Sequence, residues 1–215
     1  MIGFSTDGVR RVLAIGAHSD DIEIGCGATM LALHDHDPEI TFTWVVLTGG
    51  PDRQAEAAAS AAVFFAETEP NVMCGGLRDG YLPYEDAVAG KELIHRVGNE
   101  VAPDLVLTHR RDDMHQDHRF CGDVAHQAFR DSLIMEYEIP KFDGDLTTPN
   151  VLVPVTRALA DRKVRHLMDQ FASQRGKGWF TPDTFDAVMR LRGIEAGAPE
   201  GLAEGFHVRK LIWRP

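Results

Sequence analysis

The sequence predicts an α/β fold, a Rossmann-like, doubly wound and mostly parallel sheet, in a single domain covering residues 1–215. Three observations lead there. Apolar runs alternate with helix-patterned segments as far as residue 130, the rhythm of repeated strand–helix units. The connections between them are short, as crossovers in such a sheet are. The first run, Arg11 to Ala17, is apolar at nearly every position, which suits a strand covered on both faces.

A polar lead-in over residues 1–10 precedes that first strand. Glu23 to His36 follows as a helix, with Ile24, Thr29, Met30, Leu31, Leu33 and His34 at helical spacing and glycines at its start for close packing. Ile40 to Thr48 is the second strand, broken by Gly49-Gly50-Pro51-Asp52. Arg53 to Glu67 is alanine-rich and strongly helix-forming. Asn71 to Cys74 is a short third strand, and Gly75 to Gly80 is a loop. Lys91 to Val101 is helical through Leu93, Ile94 and Val97, and Pro103-Asp104 stops it. Leu105 to His109 is the fourth strand, followed by a charged loop from Arg110 to Gln116 and a helix from Asp117 to about Arg130. The last third is less regular. Met135 to Ile139 and Val151 to Val155 read as strands joined by a polar loop, Lys141 to Asn150. Arg157 to Ser173 and Thr181 to Arg192 read as helices, and Phe206 to Trp213 as a closing strand.

Charge narrows the partners. With 33 acidic and 22 basic residues the net charge is -11, spread along the chain, which repels a phosphate backbone and excludes general nucleic-acid binding. The length suffices to bury roughly 70% of the unfolded surface. No apolar run approaches the ~20 residues of a membrane span, and the N-terminus does not read as a secretory signal. Cys26, Cys74 and Cys121 are odd in number, far apart and without CxxC spacing. That fits a reducing, cytoplasmic setting rather than a disulfide framework.

Chemistry concentrates at two strand ends. The first strand runs into a small-residue turn that delivers His18, Asp20 and Asp21, at the edge where open α/β sheets bind ligands. His18 and Asp21, three apart, are close enough to share one metal ion, which leaves Asp20 free for proton transfer. A hydrogen-bonded His–Asp pair and a helix cap are the bland alternatives. His115-Gln116-Asp117-His118 opens a helix after the fourth strand and so lies on the same edge. Two His/Asp clusters on one edge are hard to explain as two separate caps. Three nitrogen and oxygen ligands with one position left open are the pattern of a catalytic zinc site, whereas a structural site is closed by four ligands and favours cysteine. His34, His36, His95, His126, His166 and His207 read as structural or solvated.

These residues resemble those of the LmbE-like, or PIG-L-type, zinc-dependent N-deacetylases. The resemblance rests on Ala17-His18-Ser19-Asp20-Asp21 with Glu23-Ile24-Gly25-Cys26-Gly27, and on His115-Gln116-Asp117-His118. Weaker matches are Arg53-x-x-Glu56, Leu77-Arg78-Asp79-Gly80, Arg192-Gly193-Ile194-Glu195 and Ala203-Glu204-Gly205-Phe206. Ser19 stands where the family usually has proline, and Ile22 where it often has glutamate. The resemblance implies His18, Asp21 and His118 as ligands of one Zn2+ per chain and Asp20 as general base. It implies that His115 faces the reacting carbonyl, oriented and kept protonated by Asp117. Arg53 and Asp79 match sugar-hydroxyl contacts, although an Arg53–Glu56 helix pair and a turn role for Asp79 read as well. The implied substrate is a small molecule, an N-acetylglucosamine-type sugar that is free, glycosidic or nucleotide-linked, and the product is acetate. By analogy the family also implies a symmetric homo-oligomer.

The loops 75–86 and 141–150 are where specificity is expected, with Tyr137 to Asp145 either a pocket wall or an ordinary strand and turn. Two rival functions keep the fold. Gly25-x-Gly27 hints at a sugar-nucleotide-binding module, but the third glycine of the dinucleotide fingerprint is missing and acidic residues crowd the turn. A metal-dependent phosphoesterase would need carboxylates for a second metal, which Asp112 and Asp113 are available to supply.

Overall fold

The computed structural model describes residues 3, 5–65, 68 and 70–212. Its elements are β1 (Arg11–Gly16), α1 (Asp21–His36), β2 (Thr41–Thr48), α2 (Pro51–Phe64), β3 (Asn71–Leu77), α3 (Ala87–Val101), β4 (Leu105–His109), α4 (Gln116–Ala128) and β5 (Leu133–Tyr137). They continue with β6 (Val151–Pro154), α5 (Arg157–Gln170), α6 (Pro182–Ala196) and β7 (Ala203–His207). One seven-stranded sheet has the order β3-β2-β1-β4-β5-β7-β6. The first five strands are parallel, and β7 runs antiparallel to both β5 and β6. The strand order reverses between β1 and β4, which opens a crevice at their carboxyl ends. The expected α/β class holds.

Both sheet faces are covered. Val12, Ala14, Trp44, Val46, Leu105 and Leu107 join one core with α1, α2, α5 and α6. Leu13, Ile15, Val45, Leu47 and Val106 join another with α3 and α4. Successive β1 side chains therefore enter opposite cores, which is why that run has no polar member after the exposed Arg11. Each fully buried side chain of this kind contributes about 1.5–3 kcal/mol.

Element ends fall within four residues of expectation except at the last strand. The expected helix Arg53–Glu67 begins instead at Pro51, and Glu67 lies outside the described residues. The third strand continues through the expected Gly75 loop to Leu77, because a residue without Cβ can lie against Leu47 O, which a Cβ at Gly75 would approach to 2.6 Å. No helix among the described residues is long and apolar enough to cross a membrane.

The largest departure concerns α1 and β7. Helix α1 leaves helical geometry at Cys26 (φ -142°, ψ 15°), and such a break exposes backbone groups that need partners. Lys163 Nζ donates to Ile24 O (2.6 Å), while Glu204 accepts from Ala28 N (3.0 Å) and Thr29 N (2.7 Å). Lys163 and Glu204 also pair at 2.6 Å. Glu204 reaches α1 from β7, so the closing strand lies at Ala203–His207 rather than Phe206–Trp213. Trp213 itself is outside the described residues.

Candidate active site

The β1–α1 turn is pinned from both sides. The carbonyl of Ala17 accepts from the N–H (2.8 Å) and hydroxyl (2.7 Å) of Thr48 at the end of β2, and its N–H donates to His109 Nε2 (3.0 Å) at the end of β4. His18, Asp20 and Asp21 thus leave a backbone fixed by two neighbouring strands. The β4–α4 loop is longer and ends on His115, whose Nδ1 accepts the N–H of Asp117 (3.3 Å) as an N-cap. His118 follows in the first turn of α4.

Three groups then meet. Nδ1 of His18 lies 3.1 Å from Oδ2 of Asp21 and 3.2 Å from Nε2 of His118, which is 3.6 Å from Oδ1 of Asp21. All three side chains are buried. Zinc bonds of about 2.0–2.2 Å at tetrahedral angles set neighbouring ligand atoms about 3.3–3.6 Å apart. Two imidazole nitrogens and one carboxylate at this spacing fit that ion in chemistry and in size. The capping alternative fails. Asp20 occupies the N-cap position of α1 without a side-chain cap bond, and Asp21 turns back to accept the His18 N–H (2.7 Å).

A cavity of about 380 Å³ opens over this triangle and is lined also by Asp20, Arg53, Asp79 and His115. Asp117 joins the cluster in a different way from the one expected. Its carboxylate accepts the N–H groups of Gly80 (2.7 Å) and Leu82 (3.0 Å) and faces Nε2 of His18 at 3.4 Å. Residues two apart on a helix do not face each other, so the carboxylate turns away from the His115 ring and fixes His18 instead. The Nδ1 of His115 accepts a hydrogen bond, which leaves Nε2 to carry the ring proton, and burial and the charge of His18 lower the pKa of the ring. Arg53 and Asp79 bind each other at 2.5 Å, and the second Asp79 oxygen lies 3.2 Å from Nε2 of His18. Glu56 is not the partner of Arg53; it accepts from the N–H (2.9 Å) and hydroxyl (2.6 Å) of Ser173.

The electrostatics separate two adjacent carboxylates. Burial would raise Asp21, yet His118, His109 and His18 hold it well below the usual carboxylate range. Burial, followed by the charge of Asp21, raises Asp20 to about 6. Burial and His109 push His118 down to about 3. Hydrogen bonding to His18 overcomes burial and brings Asp79 to about 2. One carboxylate is therefore ionised among nitrogens while its neighbour is poised near neutral pH, the division of labour expected of a ligand and a base.

Several site residues escaped the sequence. His109 is fully buried, stacks on His118 with ring centroids 3.9 Å apart, and brings Nε2 within 3.1 Å of Asp21 Oδ2. Its place at the end of β4, beside β1, was the available signal. Among the described residues three further overlapping trios, none of them the expected His18, Asp21 and His118, hold ligand atoms within 4.8 Å of one another: His18, His115 and His118; Asp21, His109 and His118; and His18, Asp79 and Asp117. Loop 141–150 does supply cavity wall through Lys141, Phe142 and Asp143, while Lys177 and Trp179 come from the α5–α6 connection, which carries no motif. Tyr137 is instead fully buried, and its hydroxyl donates to Ile15 O (2.7 Å). Gly25 lies against that ring, where any side chain would collide, so this glycine serves helix–strand packing and not a phosphate loop. The second-metal reading also weakens, because Asp112 is exposed with Arg110 3.6 Å away and both Asp113 oxygens are engaged.

Residues 13–129 match the family described as PIG-L, GlcNAc-PI de-N-acetylase. YaiS of Escherichia coli (strain K12), an uncharacterized deacetylase, is 30% identical over 143 residues, covering 61% of this chain and 75% of its own. The solved structure of N,N'-diacetylchitobiose deacetylase from Pyrococcus horikoshii is similar with a TM-score of 0.69 over 94% of this chain and 84% of that one, at 21% identity. GalB, the 4-carboxy-2-hydroxymuconate hydratase from Pseudomonas putida KT2440, is similar with a TM-score of 0.74 over 96% and 98%, at 18% identity. A fold shared with a hydratase does not select the reaction. The family match is stronger ground, since it spans more than half of the chain and both His/Asp clusters. The chain belongs to the PIG-L family of de-N-acetylases, amide hydrolases acting on a carbon–nitrogen bond other than a peptide bond.

Proposed function

We propose that the protein is a zinc-dependent N-deacetylase that removes the acetyl group from an N-acetylglucosamine-type sugar, free, glycosidic or nucleotide-linked, and releases acetate. The observation that carries this reading is the convergence of His18 Nδ1, Asp21 and His118 Nε2 within 3.1–3.6 Å in a cavity that also receives Asp20 and His115. When bound to those three residues, zinc would lower the pKa of a water to about 7 and polarise the amide carbonyl.

The side chains divide the remaining work. Asp79 and Asp117 face Nε2 of His18, which orients the ring and leaves Nδ1 for the metal. The Asp20 carboxylate accepts the proton of the attacking water and delivers it to the departing nitrogen. The Nε2–H of His115 donates to the carbonyl oxygen as negative charge builds there, and removal of one such donor typically costs about 10²–10³ in rate. Arg53 and Asp79, already paired, present donors and acceptors to sugar hydroxyls. The three free cysteines support a reducing cytoplasm as the place of action.

The test is acetate release from a panel of N-acetylated sugars, glycosides and sugar nucleotides, with and without a chelator. Release from a glucosamine-type compound that stops with chelator and returns with zinc is the expected result. Absence of release across the panel, or release indifferent to chelator, overturns the reading.

A further inference from the structure

We infer that Asp113 is the positioning residue for His118, and that Lys141 clamps it to the loop forming the cavity wall. The inference rests on the reading of His118 as a metal ligand and adds the group that makes it one. Asp113 is 2% exposed and lies in the β4–α4 loop. Its Oδ2 faces Nδ1 of His118 at 3.2 Å, and its Oδ1 accepts the backbone N–H of His115 at 2.8 Å. Lys141 Nζ adds contacts to Oδ1 (3.0 Å) and Oδ2 (3.1 Å). The same ammonium reaches Asp145 Oδ1 (2.7 Å) and Oδ2 (2.8 Å), and Asp145 Oδ2 accepts the N–H of Met114 (2.8 Å).

The chemistry follows from which nitrogen of His118 is occupied. A carboxylate at Nδ1 keeps the proton there, so the lone pair on Nε2 points toward His18 Nδ1 and Asp21, as ligation requires. Asp113 binds the His118 ring, the His115 backbone and a cavity-wall lysine at once, and so holds both histidines of the second cluster to loop 141–150. Both of its oxygens are used in this way, which explains why it is unsuited to a second metal. A carboxylate that only anchored the loop would have no need of the His118 ring.

The experiment measures zinc affinity on metal-free protein by competition with a chromophoric chelator, with far-UV circular dichroism and a thermal melt confirming the fold. Asp113→Ala is expected to weaken zinc 10–100-fold and to change the visible spectrum of the cobalt(II)-loaded protein. Asp113→Asn, whose amide oxygen still accepts from Nδ1, is expected to restore most of that affinity. Wild-type affinity in Asp113→Ala, or equal losses in the two variants, overturns the positioning role while leaving the proposed activity standing. A loss that merely follows the folded fraction overturns it too. Failure of the wild-type chain to bind zinc at all overturns both readings, and the two kinds of failure are thereby told apart.

Discussion

Behind α1, Lys163 and Glu204 are as deeply buried as His18, Asp21 and His118 are at the cavity, but the two sets of charge are finished differently. Lys163 donates to Glu204 and to Ile24 O, and Glu204 accepts two helix N–H groups besides. Arg192 is closed in the same manner, bound twice by Glu138 (2.7 and 2.8 Å), by Glu195, and by Thr147 O. Each of these nitrogens meets at least one acceptor. At the cavity, two imidazole nitrogens stand 3.2 Å apart and a carboxylate faces both, so that with both nitrogens unprotonated three acceptors meet at one point. A buried charge cluster that satisfies itself is architecture, whereas one whose lone pairs converged would gain from a cation, as the proposed zinc site requires.

The largest expected effect lies on the cavity side. Asp20→Asn should reduce kcat by about 10²–10⁴, the usual worth of a positioned general base, while zinc content and thermal stability stay at wild-type levels. Steady-state kinetics beside elemental analysis checks it, and near-normal turnover would mean that another group moves the proton. Lys163→Met should do the reverse. Leaving Glu204 buried without its cation costs about 3–5 kcal/mol of stability in urea melts, with unchanged zinc per folded chain. If zinc were lost from folded Lys163→Met protein, the two clusters would not be separable.

Smaller effects sharpen the boundary between them. Arg53→Gln removes one partner of the Asp79 pair at the rim of the site, and should raise KM by about a kcal/mol of binding or less with kcat nearly intact. His166 probes the architectural side through pH. It lies 2.7 Å from Ser60 Oγ, and burial pushes its pKa from 6.5 down to about 4. The folded chain refuses a proton that the unfolded chain accepts, so this contribution to stability is present above pH 6.5 and lost as pH falls toward 4. His166→Gln should therefore lose less stability between pH 7 and pH 4.5 than the wild type does, and an equal loss would remove His166 from the acid sensitivity of the fold.

The same contrast explains what was legible in the sequence. His18, Asp20 and Asp21 stand within four consecutive residues after a strand, and His115 to His118 within four more, so local order alone pointed to both halves of the candidate site. The strand–helix rhythm announced the sheet that brings them to one edge. Partnerships made across the fold were hidden. Nothing near Asp79 in the chain points to Arg53, and the turn of a helix that directs the Asp117 carboxylate to His18 rather than His115 is not visible in spacing. The break of α1 at Cys26 is stabilised by Lys163 and Glu204, more than 130 residues away, so a helical pattern could not reveal it. The aromatic and basic side chains at the cavity mouth, Trp179 and Lys177, sit on a connection with no motif at all.

The most direct measurement is the zinc content of purified protein after dialysis against excess metal, for the wild type and for His18→Ala and His118→Ala separately, with folding verified by circular dichroism. One equivalent in the wild type and none in either variant is the predicted result. A full equivalent retained by either variant, or two equivalents in the wild type, would contradict a single ion shared between the two loops.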